Sequence, residues 1–182
     1  MRSRLCAFAG CLAFACPALA ARAQPQAPPP CASSEYHQFD FWVGRWDVFR
    51  ADTHQLVAHS LIEKLYGGCA IRENWMPLAG GGGGSLNAYR PSEHRWHQLW
   101  VDSMNNLNSY AGAMDHGVMV MRGISHAASG SAAPERMTFE ARPDGSVVQT
   151  GFRSAGKGAS WTISYSFIYR RPANRSSSTG AQ

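Results

Sequence analysis

Residues 39–50, Phe39-Asp40-Phe41-Trp42-Val43-Gly44-Arg45-Trp46-Asp47-Val48-Phe49-Arg50, constrain the fold more than any other stretch of the chain. An aromatic run passes into two-residue alternation with Gly44-x-Trp46 at its centre. Such a segment suits the first strand of a small closed β-barrel. Gly44 lets the chain bend tightly. Trp46, two residues on, points to the same face and can plug one end of the barrel.

The first 23 residues stand apart from this pattern. Arg2 and Arg4 precede an apolar run from Leu5 to Ala15, and Ala18-Leu19-Ala20 and Ala21-Arg22-Ala23 are small-x-small cleavage sites. This is the pattern of a secretory signal peptide, so the protein is expected to be exported, to a periplasm or to the medium. The run is too short to span a bilayer, and no later stretch qualifies as a transmembrane segment. Cys11 and Cys16 leave a lipoprotein as the rival reading, without a good aliphatic-small-small triplet before either. Cleavage after Ala23 takes Lys+Arg from 17 to 14 against 12 Asp+Glu, and the net charge from +5 to +2. That balance makes no case for nucleic acid or an acidic membrane surface. The 159 remaining residues suffice for one domain with a substantial core.

Of five cysteines, Cys31 and Cys69 lie beyond the signal. An even pair in an oxidising compartment is most simply a disulfide, here tying the lead-in to the strand near Cys69; two buried free thiols are the alternative. Closing that loop stabilises the fold chiefly by constraining the unfolded chain, on the chain-entropy model. Residues 24–34 form a Pro-rich extended lead-in, residues 172–182 a polar disordered tail, and residues 35–171 one domain.

That domain reads as strands near 43–50, 55–66, 69–76, 85–90, 95–102, 107–113, 117–123, 136–142, 146–153 and 159–170, with a short turn of helix around Ser34–Asp40. Gly- and Asp-rich turns punctuate them, which indicates an antiparallel barrel or sandwich. Trp96, Gln98, Trp100 and Asp102 share one face of their strand. Glu73 pairs with Trp75 in this way, Ser85 and Asn87 with Tyr89, and Trp161, Ile163, Tyr165, Phe167 and Tyr169 fall together on the last strand. A dry sandwich core does not ordinarily accept these polar groups, and turned outward the indoles would make a very large apolar patch. The expected fold is therefore all-β: a single antiparallel up-and-down barrel of about ten strands with a part-aromatic, part-polar lumen.

These residues also carry a resemblance. Phe39 to Val48, Gly68-Cys69-Ala70-Ile71-Arg72-Glu73-Asn74-Trp75, Gly84 to Tyr89, Trp96-His97-Gln98-Leu99-Trp100-Val101-Asp102 and a closing Tyr169-Arg170-Arg171 resemble bacterial secreted proteins of unknown function with a lipocalin-like (calycin-like) barrel. The resemblance spans about residues 35–171 and implies a fold rather than an activity. Lipocalins proper stack an Arg from the end of the barrel on the Trp of Gly-x-Trp, which implies Arg170 or Arg171 over Trp46. Their other motifs and C-terminal helix are not evident, so the likeness to them is one of shape.

Candidate chemistry is sparse. Gly80–Gly84 before Ser85 lacks the P-loop Lys and a following helix, and reads as a hairpin loop at the barrel mouth. The seven histidines show no ligand spacing, so neither a metal nor another cofactor is expected. No nucleophile elbow is present. Glu73 and Asp102, beside indoles, are the candidates for general acid–base work, because apolar surroundings raise a carboxyl pKa. The competing reading has both held in a structural network with Arg72, Arg95, Asn87 or Gln98.

The most economical function is binding of a small hydrophobic or amphipathic molecule in the lumen. Trp75, Tyr89, Trp96, Trp100 and Tyr165 would form the flat walls, and Glu73, Asn87, Gln98 and Asp102 the polar contacts. An enzyme using Glu73 or Asp102, and a filled barrel that binds protein through its surface, remain open. The sequence carries nothing on oligomeric state.

Overall fold

Two-residue alternation gives each strand an inner and an outer face, and the sheet closes on itself to bury the large apolar groups that most of the inner faces carry. In the computed structural model, which describes residues 29–126, 132–154, 158 and 160–173, the strands are β1 (Gly44–Arg50), β2 (Leu56–Leu65), β3 (Ala70–Pro77), β4 (Gly83–Arg90), β5 (Arg95–Asp102), β6 (Leu107–Asp115), β7 (Val118–His126), β8 (Ala132–Ala141), β9 (Val147–Arg153) and β10 (Thr162–Arg170). Each pairs antiparallel with its neighbours in sequence, and β1 pairs with β10 to close the barrel. The signal segment 1–23, the start of the lead-in and most of the tail lie outside the described residues.

The expected turn of helix before β1 is two 3₁₀ turns, Ser34–His37 and Asp40–Trp42. They carry Phe39 and Trp42 into the barrel end, where both are fully buried. Phe39 stacks on Trp42 with centroids 5.0 Å apart and meets Phe139 and Trp96 edge-on at 5.0 and 5.7 Å. Lys64 of β2 fastens this plug from outside by donating to both carboxylate oxygens of Asp40, at 2.5 and 2.7 Å. Cys31 and Cys69 are disulfide-bonded and anchor its leading end beside β3.

Gly44 and Trp46 act together. Trp46 is buried and donates its indole N–H to the Trp42 carbonyl at 2.8 Å. Of the two candidate arginines it is Arg171 that covers it, with the guanidinium 3.7 Å from the ring centroid and donating to the Val43 carbonyl at 3.0 Å; Arg170 lies over Phe49 instead. A Cβ on residue 44 would lie 1.6 Å from Arg171 Nη1, and φ here is +140°. Only glycine leaves room for that cation.

One stretch departs from the expected inward face. A bulge at Ser164 shifts the β9–β10 register between Ile163 and Tyr165. Tyr165, Phe167 and Tyr169 point inward, but Ile163 is 66% exposed and Trp161 lies outside, against Arg136, whose guanidinium is 5.2 Å from its ring centroid. The extra residue reverses the alternation for everything before it.

Candidate functional site

The inward residues form layers. Nearest the plug, Ile62, Ile71, Trp96, Met119, Met121, Phe139, Val147 and Tyr169 pack with Phe39 and Trp42 into a solid floor. Above it the lumen is open, with a cavity of about 480 Å³. Trp75, Trp100, Tyr110, Tyr165, Phe167 and Tyr169 supply its aromatic walls, and Glu73, Gln98, Glu135 and Gln149 its inner polar groups. Asp102, Met104 and Asn106, from the β5–β6 turn, stand at the mouth, where Met104 is 77% exposed. Eight strands enclose just enough room for side chains or one small ligand; ten strands enclose more, and here the plug fills only the lower part.

The walls are built by ring contacts. Trp75 tilts against Phe167 at 5.3 Å, and Phe167 stacks on Tyr165 at 5.3 Å. Tyr165 lies flat over β9 because residue 151 has no side chain: a Cβ there would come within 2.2 Å of the Tyr165 ring.

Of the residues expected to line the lumen, Glu73, Trp75, Gln98, Trp100, Asp102 and Tyr165 do so. Asn87, Tyr89 and Trp96 do not, because each sits one layer too low. Trp96 is part of the floor and donates to Gln38 Oε1 at 3.3 Å. Tyr89 is edge-on to Tyr36 of the first 3₁₀ turn, 5.4 Å away. Asn87 is fully buried beneath the cavity.

Asn87 nevertheless serves the site. Gln98 Nε2 donates to Asn87 Oδ1 at 2.7 Å, Asn87 Nδ2 donates to Ser85 Oγ at 3.0 Å, and Ser85 Oγ donates to Glu73 Oε2 at 3.2 Å. This relay from β5 through β4 to β3 ends on a carboxyl only 4% exposed. Glu73 Oε1 accepts from Ser60 at 3.3 Å and lies 3.4 Å from the Tyr169 hydroxyl, which donates to Gln149 at 2.7 Å. The expected network thus reaches Asn87 and Gln98 but neither arginine; Arg72 pairs with Glu63 outside. With hydroxyls but no cation around it among the described residues, burial raises the Glu73 carboxyl to about 7 and the hydroxyl contacts lower it only in part.

The expectation of a raised carboxyl at Asp102 is overturned. Burial does push it up, but hydrogen bonds outweigh that, and its pKa falls below the usual value. It accepts from the backbone N–H of Met104 and Asn106 at 2.9 and 3.1 Å, from the Asn106 amide at 2.8 Å and from the Trp100 indole at 3.0 Å. Asp102 is a turn cap whose lone pairs are already engaged.

A second buried carboxyl was not anticipated. Glu135 on β8 is 5% exposed, lines the cavity and accepts from the Tyr110 hydroxyl at 2.9 Å. Arg153 lies opposite it in the β8–β9 register. The signal was the inward series Glu135, Met137, Phe139, hidden because the strand begins before the predicted start at 136. Burial and the neighbouring Glu135 carboxylate raise the Tyr110 hydroxyl well above its ordinary value. The Gly80–Gly84 run spans the β3–β4 hairpin and the start of β4. His37, His59 and His97 each sit beside a single carboxylate on the outer surface, at 2.7 to 2.8 Å.

No protein-family model and no curated protein matches the sequence.

Proposed function

We propose that this protein is an exported barrel of the lipocalin-like kind that binds a small amphipathic organic molecule in its lumen. The carrying observation is the cavity of about 480 Å³, closed below by the plug, lined by aromatic rings and reached by a few oriented polar groups. That combination of volume, apolar walls and sparse directed contacts is what small-molecule sites share. The Cys31–Cys69 disulfide supports an oxidising compartment. Native mass spectrometry of protein purified from its own host without denaturation tests the reading. A co-purifying small molecule that quenches the wall indoles Trp75 and Trp100 supports it. A clean mass, with no fluorescence response across lipids, aromatics and sugars, overturns it.

A second reading rests on Glu73 alone. A buried carboxyl raised to about 7 at the bottom of an open cavity suits proton transfer in either direction near neutral pH. Under this reading Glu73→Gln abolishes turnover of a lumen-bound molecule; for a carrier it changes affinity, with no turnover to lose. Asp102 drops out as a partner base, because its oxygens are committed to the turn.

A further inference from the structure

The cavity holds two carboxyl side chains, Glu73 and Glu135, each at least nine-tenths buried. Neither makes an ion pair with a basic side chain among the described residues. Buried carboxylates ordinarily have a cation beside them. The walls add to the imbalance, since aromatic rings present their electron-rich faces to whatever they enclose. Resting on the lumen-binding reading, we infer that the ligand is a small organic cation, an ammonium on an apolar body. The ammonium sits against Glu73 at the lumen floor, and the apolar part lies along Trp75, Phe167 and Tyr165.

The relay from Gln98 through Asn87 and Ser85 suits this role. It orients a hydroxyl donor onto Glu73 Oε2, stabilising the carboxylate once a cation arrives. The lumen's one fixed cation among the described residues is Arg153, toward the Glu135 side, so the cavity is graded from acidic at Glu73 to mixed at Glu135.

The sign of the pH dependence follows. Around Glu73 stand Ser60 on β2, Ser85 on β4, and Tyr165 and Tyr169 on β10, and burial holds both tyrosines neutral across the physiological range. Asp102 on β5 stays ionised and Tyr110 on β6 neutral. His126 on β7, Glu135 on β8 and Arg153 on β9 complete the ionisable lining. An alkylammonium keeps its proton throughout, so its binding tracks ionisation of Glu73 and strengthens as pH rises. A carboxylate ligand would behave oppositely, binding best when Glu73 is protonated.

Three probes on one skeleton test this by isothermal titration of the intact disulfide-bonded protein: 2-phenylethylammonium, neutral 2-phenylethanol and anionic 3-phenylpropanoate. The ammonium should bind about tenfold or more tighter than the alcohol at pH 8, and its affinity should rise about tenfold from pH 6 to pH 8 while the alcohol's stays level. Glu73→Gln should bring the ammonium down to the alcohol and flatten the profile. If that variant does not fold, the charge ranking and slope of the unsubstituted protein decide alone. An alcohol or carboxylate that matches the ammonium, or an ammonium slope that survives in Glu73→Gln, overturns the inference while leaving lumen binding in place. Silence from all three probes, in heat and in tryptophan fluorescence, overturns this inference, and lumen binding falls with it only where the protein from its own host also gives a clean mass and no response across lipids, aromatics and sugars.

Discussion

Burying Glu73 among hydroxyls gives folding stability a definite dependence on pH. In the unfolded chain this carboxyl titrates near its ordinary 4.5; in the barrel burial lifts it to about 7. Below the lower value both states are protonated and the barrel is at full strength. As pH climbs through the interval the unfolded chain ionises first, and stability falls until the folded carboxyl has ionised too, a loss of about 3 kcal/mol. Glutamine cannot ionise, and its amide meets the same Ser60 and Ser85 hydroxyls. Glu73→Gln should therefore change stability little at pH 4.5 and raise it by up to about 3 kcal/mol at pH 8. Urea unfolding at the two pH values measures this, and an identical difference at both would sink it. Gly151 is a second residue with a large lever. An added methyl would meet the Tyr165 ring at 2.2 Å, and the ring's free direction is the lumen. Gly151→Ala should lower stability by about 1–3 kcal/mol and weaken lumen binding at least as much as Tyr165→Ala, both readable by ligand titration and melting.

At the scale of elements, the first strand and the chain's last described residues form one device. Gly44 opens a slot, Arg171 enters it, and the guanidinium lies on Trp46 and caps the Val43 carbonyl. Because Arg171 is exposed, the cation–ring contact should be worth about 0.5–1 kcal/mol. Arg171→Ala should cost about that much and shift the Trp46 emission to longer wavelength as water reaches the indole, whereas Arg170→Ala should leave the emission in place. The Gly44-x-Trp46 half of this device is a local pattern in the sequence, whereas its cationic partner was implied only by the resemblance to lipocalins, which left Arg170 and Arg171 both open until the ring contacts chose Arg171. Strand periodicity likewise placed Glu73, Gln98 and Trp100 inward, since a two-residue period fixes the face without fixing the height. Height is what failed: Asn87, Tyr89 and Trp96 face inward but lie at or below the floor, which is set by how deep Phe39 and Trp42 reach. Periodicity also fails wherever a residue is inserted, and the bulge at Ser164 turned Trp161 and Ile163 outward. Asp102 shows a third gap, because the donors that lower it come from a turn whose geometry alternation does not encode.

For the molecule as a whole, the barrel divides into a filled end and an open end, and the division predicts which changes stay separate. The plug, its Lys64–Asp40 contact and the Cys31–Cys69 disulfide all belong to the filled end, while the cavity belongs to the other. The disulfide joins residues 38 apart in sequence, which on the chain-entropy model is worth about 4 kcal/mol. It works mainly on the unfolded chain, so replacing both cysteines by serine should lower the melting midpoint by about 10 °C yet leave lumen affinity at 25 °C within about twofold, because neither cysteine lines the cavity. Plug residues should act differently. Trp42 contacts Phe139 at 4.8 Å and Tyr169 at 6.2 Å, and Tyr169 is both floor and wall, reaching Glu73 and Gln149 with its hydroxyl. Trp42→Ala should cost about 3–5 kcal/mol and should also weaken binding, since Tyr169 then loses the ring beneath it. Measuring melting and affinity on both variants separates the two ends. Equal losses of affinity in the serine pair and in Trp42→Ala would show the barrel responding as one unit, with no mechanical boundary between plug and lumen.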